Sequence, residues 1–234
     1  MVFRFKQFSI DDSNCAMKIG TDGCLLGAWA DVENASGILD IGTGSGVIAL
    51  MLAQRSNATI DAVEIDYDAY GQALKNFSES PWENRLNAFH SSIQEYIKSC
   101  TKKYDMIVCC PPYFLNSLKA TDKKRRLARH TDSLTFEELI SGSLRLLKPE
   151  GKFCTIIPTE SRKLFYNIAL IEGYHTVKIT EIEPKAGATP VRVLLQMQRN
   201  KIPCTRSKIP ILDIEGKLYT PEYIELTRDF YIIF

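Results

Sequence analysis

The stretch GILDIGTGSGVIALMLAQRS, residues 37–56, holds a compact apolar run, three glycines at alternate positions, and then apolar residues at helical spacing. Residues 37–41 read as a short buried strand, and residues 45–56 as the helix that follows it. The loop between them, LDIGTGSG at 39–46, lies at the carboxyl end of a strand, where open α/β sheets place their ligands. Gly42, Gly44 and Gly46 let this loop turn sharply and approach a ligand where a Cβ would collide. Asp40 precedes it, and the G-x-G-x-G spacing puts Val47 where a dinucleotide fingerprint needs its third glycine.

Outward from this unit, strand and helix continue to alternate. Runs at 59–65, 86–90, 104–110 and 152–158 read as strands. Runs at 68–80, 93–100, 135–148 and 160–173 read as helices, the third stopped by Pro149 and Gly151. The runs 174–183 and 190–200 leave no room for a helix between them and read as an antiparallel hairpin. Such alternation predicts a sheet covered on both faces. The expectation is α/β, a mostly parallel seven-stranded sheet ending in a C-terminal antiparallel hairpin, a pattern that resembles the Rossmann-like class I methyltransferase architecture. Residues 1–36 form a lead-in, 37–200 the catalytic domain, and 201–234 an extension packed on it. Within the extension, LYTPEYIELTRDFYIIF at 218–234 reads as a helix followed by a strand.

The 234 residues are 45% apolar with a net charge of +1. That allows a sizeable core, and it means that any affinity for nucleic acid has to come from a local patch rather than the global field. Seven cysteines, an odd number without a C-x-x-C pair, argue against a disulfide framework or a zinc site and for thiols in a reducing cytosol. The N-terminal MVFRFKQFSIDD has no apolar h-region, and no run approaches the ~18 apolar residues of a membrane span. The expectation is a cytoplasmic protein with no membrane segment and no metal.

Asp40 would repel a pyrophosphate but suits a zwitterionic amino-acid ligand. Glu64 closes the second strand, with Ile65 after it, and can accept both hydroxyls of a ribose. With Gly42, Thr43, Gly44 and Gly46 beside the amino-acid part, these residues predict S-adenosylmethionine as the cofactor. After the third strand, Ser92 and Ile93 occupy the place where an adenine amino group meets an acceptor, and a serine hydroxyl accepts less strongly than a carboxylate.

The fourth strand stops abruptly in YDMIVCCPPYFLN, residues 104–116. Pro111 and Pro112 have no N–H to donate, so pairing ends there and a rigid corner forms at the carboxyl end of the sheet. A carbonyl at that corner can accept a hydrogen bond from a substrate, and Tyr113 offers a flat face for a planar group. This is what methylating an aromatic or amide amino group requires. Acceptors on its N–H groups localise a lone pair that is otherwise delocalised. Cys110, Pro111, Pro112 and Tyr113 are the catalytic candidates.

The motif CPPY resembles the [N/D]-P-P-[Y/F/W] motif of amino-group methyltransferases. Residues 5–30, 39–55, SPWENRLN at 80–87, ARHT at 128–131, RVLL at 192–195 and the tail YIELTRDFYIIF resemble, over nearly the full length, the bacterial family of valine-tRNA adenine N6-methyltransferases acting at tRNA position 37. By this resemblance KIGTDGCLL helps to close the cofactor site, with Lys18, Thr21 and Asp22 as its contributors. Two positions depart from the family: Cys110 replaces an asparagine and Ser92 an aspartate. A thiol accepts only weakly, and losing one good hydrogen bond in a transition state costs on the order of 10²–10³ in rate.

Between the prolines and the next helix lies KATDKKRRLARH, 119–130, in which Lys119, Lys123, Lys124, Arg125, Arg126 and Arg129 face one acid, Asp122. Beside a target pocket these cations suit phosphate contacts that hold an RNA while a base is turned outward. The reading is an S-adenosylmethionine-dependent methyltransferase acting on adenine N6 of tRNA. A glutamine-N5 or ribosomal guanine-N2 methyltransferase shares the proline motif, and Cys110 leaves open a cofactor-binding protein with weakened catalysis.

Overall fold

The computed structural model describes residues 2–111 and 134–234. The lead-in forms an antiparallel hairpin, β1 (Val2–Arg4) with β2 (Ser9–Asp11), and then helix α1 (Thr21–Trp29). The chain next runs through β3 (Gly37–Ile41), α2 (Val47–Arg55), β4 (Thr59–Glu64), α3 (Tyr67–Ser78), β5 (Leu86–His90), α4 (Ile93–Ser99) and β6 (Tyr104–Cys109). After residue 134 come α5 (Phe136–Leu146), β7 (Leu147–Pro158), α6 (Arg162–Ile171), β8 (His175–Lys185), β9 (Arg192–Gln198), β10 (Thr205–Leu212) and α7 (Pro221–Thr227).

Strands β3 to β10 make one sheet in the order β10-β8-β9-β7-β6-β3-β4-β5. β6 and β4 flank β3 in parallel, β5 and β7 continue the parallel pattern, and β9 lies antiparallel between β7 and β8. The expected hairpin is therefore β8–β9. The sheet has eight strands rather than the expected seven, because β10 adds in parallel to β8 at the edge. Its sequence, TRSKIPIL, is polar and exposed over its first half and carries Pro210, as befits an edge strand, so it lacks the apolar signature of the others.

Two further boundaries moved. The helix expected to reach residue 148 stops at Leu146. Lys148 precedes Pro149 and is pushed out of the helical region, so Leu147 turns extended and already pairs with Tyr104. The strand expected after the C-terminal helix is absent. Tyr231 makes only an isolated bridge to Phe5, and the tail is held instead by stacked rings, Phe5 on Phe8 and on Tyr231, at 4.5 and 5.9 Å between centroids.

Side chains alternate across each strand, so β3 sends Ile38 to one face and Leu39 and Ile41 to the other. The first face is covered by α1 and α2, the second by α4, α5 and α6. Every residue of α2 from Val47 to Ala53 is buried, which accounts for its lack of a polar face. α3 is capped by Asp66, whose side chain accepts the Ala69 N–H at 2.8 Å, and α5 by a Thr135–Glu138 capping box. No described helix is long and apolar enough to cross a membrane, and among the described residues no group of His, Cys, Asp or Glu forms a metal site. Each of the seven cysteines is a thiol.

Helices α1 and α2 touch at Gly27, where an added Cβ would stand 2.9 Å from both Cβ and Sδ of Met51. Gly27→Ala should therefore push α1 from α2 and lower stability by about 1–3 kcal/mol, read from the midpoint of urea unfolding. An unchanged midpoint would contradict this contact.

Candidate active site

The chain leaves β3 to build β4 and β5 on one side, then returns to place β6 on the other. At that reversal the loops after β3 and β6 diverge and open a crevice at the carboxyl ends of both strands. A cavity of about 660 Å³ fills it, within the size range of small-molecule sites. The glycine loop is its floor, and Glu64, Ile65 and Ser91–Gln94 form one end. Cys109, Cys110, Pro111 and Leu134 form the other, and Met17–Gly23 of the lead-in lie along it as a lid.

The floor owes its shape to two carboxylates. Glu64 Oε2 accepts the Gly44 N–H at 2.8 Å, and Oε1 accepts those of Ile65 and Asp66 at 2.8 and 2.9 Å. A carboxylate has about four acceptor positions, so Glu64 keeps one for a ligand hydroxyl rather than the two first expected of it. Asp40 is wholly buried and lies behind the loop, off the cavity wall. Its Oδ2 accepts the Thr43 hydroxyl at 2.6 Å, while Oδ1 has no hydrogen-bond partner. Burial, and secondarily the charge of Glu64, push the Asp40 carboxyl up to about 7.

Gly42, Thr43 and Gly44 line the cavity, and the positive φ of Gly44, +57°, faces open space where a Cβ would stand, which leaves room for a ligand against the backbone. Gly46 is not on the wall. It starts α2 at φ +88°, and an added Cβ would lie 2.5 Å from the Phe77 ring.

At the far end, Ile65 is an exposed lip, Ile93 is buried, and the Ser92 hydroxyl caps α4 by accepting the Glu95 N–H at 3.2 Å. On the lid, Lys18 lines the cavity while its Nζ donates to the carbonyls of Asp12 and Ser13 at 2.7 and 3.1 Å. Thr21 opens α1, and Asp22 accepts from Arg192 Nε of β9 at 2.8 Å. That ion pair places Asp22 on the β6 side of the crevice, opposite Glu64. Cys110 is half-buried beside Pro111. Burial holds the neighbouring Cys109 thiol well above its ordinary range, a neutral lining group.

Pro112 and Tyr113, together with Lys119, Lys123, Lys124, Arg125, Arg126 and Arg129, lie outside the described residues. Several lining residues carried no signal in the sequence, among them Met17, Val63, Gln94 and Leu134; Arg192 entered only as part of RVLL. The donor set fits S-adenosylmethionine. Glu64 and Asp22 on the walls, with Asp40 beneath, suit a sulfonium and an ammonium group and would repel a pyrophosphate. Lys18 offers a cation toward a carboxylate.

The raised Asp40 has a consequence for stability. The folded chain holds this proton more tightly than the unfolded one, so the contribution is full below about pH 4 and is lost as the pH climbs through about 7. Asp40→Asn keeps the acceptor for Thr43 and should flatten the fall in urea midpoint between about pH 4.5 and about pH 7.5. Equal slopes in variant and parent would refute the assignment.

Residues 18–185 match the family model described as the methyltransferase small domain. Over 230 residues the chain is 44% identical to a tRNA1(Val) (adenine(37)-N6)-methyltransferase of Parabacteroides distasonis, covering 98% of this chain and 97% of that protein. It is 43% identical to the enzyme of the same description from Flavobacterium johnsoniae, covering 99% of each. Among solved structures it resembles a predicted O-methyltransferase from Agrobacterium tumefaciens, with a TM-score of 0.68 and 17% identity over 89% of this chain and 96% of that one. It also resembles a ribosomal protein L11 methylase from Lactobacillus delbrueckii subsp. bulgaricus, with a TM-score of 0.59 and 14% identity over 82% and 84%. The structural likenesses establish the class I methyltransferase fold, and the sequence identity over nearly its whole length establishes that this chain belongs to the tRNA1(Val) (adenine(37)-N6)-methyltransferase family.

Proposed function

We propose that this protein transfers a methyl group from S-adenosylmethionine to the N6 amino group of adenine 37 in a valine tRNA. The observation that carries the reading is one cavity joining the acid-lined glycine loop of β3 to the Cys110–Pro111 corner of β6. The relatives' shared description supplies the substrate.

When bound, S-adenosylmethionine supplies an electrophilic methyl on a positively charged sulfur. Glu64 accepts a ribose hydroxyl with its remaining acceptor position, Ile65 packs its apolar face on the base, and Ser92 and Ile93 line the adenine end. Gly42–Ser45, braced from behind by Asp40, carry the amino-acid arm against the backbone. Lys18, Thr21 and Asp22 close the site from the lid, the role proposed for residues 1–36. Residues 37–200 form the catalytic domain, and 201–234 pack on it as an extension that supplies the edge strand β10.

On the substrate side, Pro111 has no N–H to compete for an acceptor, so a carbonyl of this corner takes an N–H of the adenine amine and turns its lone pair toward the methyl group. Tyr113 stacks on the base, and the Lys119–Arg129 cations hold the phosphates of an RNA whose base is turned out. The methylated nitrogen then sheds its extra proton readily, which calls for no strong base. A tRNA substrate makes the cytoplasm the working compartment.

Cys110 favours a second reading, a protein that binds the cofactor but turns over slowly, because a thiol accepts poorly. Incubating undermodified tRNA with a labelled methyl donor should place label in N6-methyladenine at position 37. Label found only in protein would favour a glutamine substrate and defeat the RNA reading. Cys110→Asn should raise kcat by about tenfold or more if the thiol limits the chemical step. An unchanged or lower rate would show that another acceptor already serves the amine.

A further inference from the structure

The lid has no strand or helix between β2 and α1, so side-chain contacts help to set its position over the floor. One buried amide reaches both. Asn76, on α3 and 1% exposed, donates from Nδ2 to the carbonyl of Asp11 at 2.8 Å and to that of Ser45 at 2.8 Å. Its Oδ1 accepts the Asp11 N–H at 3.0 Å. Asp11 ends β2, and Ser45 belongs to the glycine loop and lines the cavity.

The tie on the lid side continues through the next residue. Asp12 Oδ2 accepts the Ile19 N–H at 3.1 Å, and its carbonyl accepts Lys18 Nζ at 2.7 Å. Asp12 thus folds the segment that starts at Asp11 back on itself and delivers Met17–Gly23 to the cavity. Only a planar amide supplies donors to two carbonyls together with an acceptor for an N–H; a carboxylate loses both donors, and an apolar side chain loses these three contacts and the one that Oδ1 accepts from Gln72 Nε2 at 3.5 Å.

We infer that Asn76 is a positioning residue that sets the spacing of lid and glycine loop, and with it the affinity for the cofactor; this rests on the methyltransferase reading above. Asn76 touches no substrate. It acts through Asp11, where the segment leading to the lid begins, and through Ser45 in the glycine loop.

Calorimetry with S-adenosylmethionine tests it on the full chain. The parent should bind, and Asn76→Ala should bind about tenfold more weakly while kcat at saturating cofactor stays within about threefold. Unchanged affinity in a folded Asn76→Ala that melts at a lower temperature overturns the inference and leaves a purely structural amide. No binding by the parent defeats the methyltransferase reading itself, a separate outcome. If Asn76→Ala does not fold, hydrogen exchange of the parent decides. Cofactor that protects the amides of Asp11–Gly23 and of Gly44–Val47 in step supports one closed unit. Protection confined to the glycine loop overturns it.

Discussion

Three main-chain N–H groups from two separate loops end on the Glu64 carboxylate, and the cavity takes its form from that convergence. Gly44 comes from the turn after β3, and Ile65 and Asp66 from the turn after β4. Without a common acceptor these groups would each need water or a ligand, because a buried N–H left unpaired costs about as much as a lost hydrogen bond. With it, two adjacent strand ends are locked together and the glycine loop is held open. Asp66 then caps α3 in the next step of the chain, so the same turn that shapes the floor also starts the helix carrying Asn76.

The cavity is built for positive charge. Two carboxylates face it and a third lies beneath, where burial first and the charge of Glu64 second raise the Asp40 carboxyl. An acid kept in a wholly buried position with one oxygen lacking a hydrogen-bond partner is a cost to folding, and its position behind the loop makes it an electrostatic neighbour of the ligand rather than a contact. Such a cost is understandable at a site whose proposed ligand carries a sulfonium. It also shows that an acidic residue in a loop motif need not touch the ligand to matter to it.

The end lined by Cys109, Cys110, Pro111 and Leu134 differs in kind, with a proline, two thiols and an apolar side chain in place of carboxylates. The Asp22–Arg192 pair fastens the start of α1 over the β6–β9 side of the sheet, as Asn76 fastens the lid's beginning over α3. The lid is thus attached before its first residue and again at the start of α1.

The glycine spacing and the strand–helix alternation were sufficient to identify the sheet, its hairpin and the loop that lines the cavity, because apolar periodicity and glycine chemistry are local properties of the chain. The end of β6 just before Pro111 was legible for the same reason. What only the tertiary structure decided are relations between distant residues: β10 joining the edge, Asp40 turned away from the cavity, Glu64 occupied by three N–H groups, and Asn76 bridging Asp11 and Ser45. The direction of a side chain on a strand depends on which face its register presents, and hydrogen-bond partners many residues apart leave no mark on either neighbourhood. These facts arise only when the strands are in register and the lead-in has closed over them.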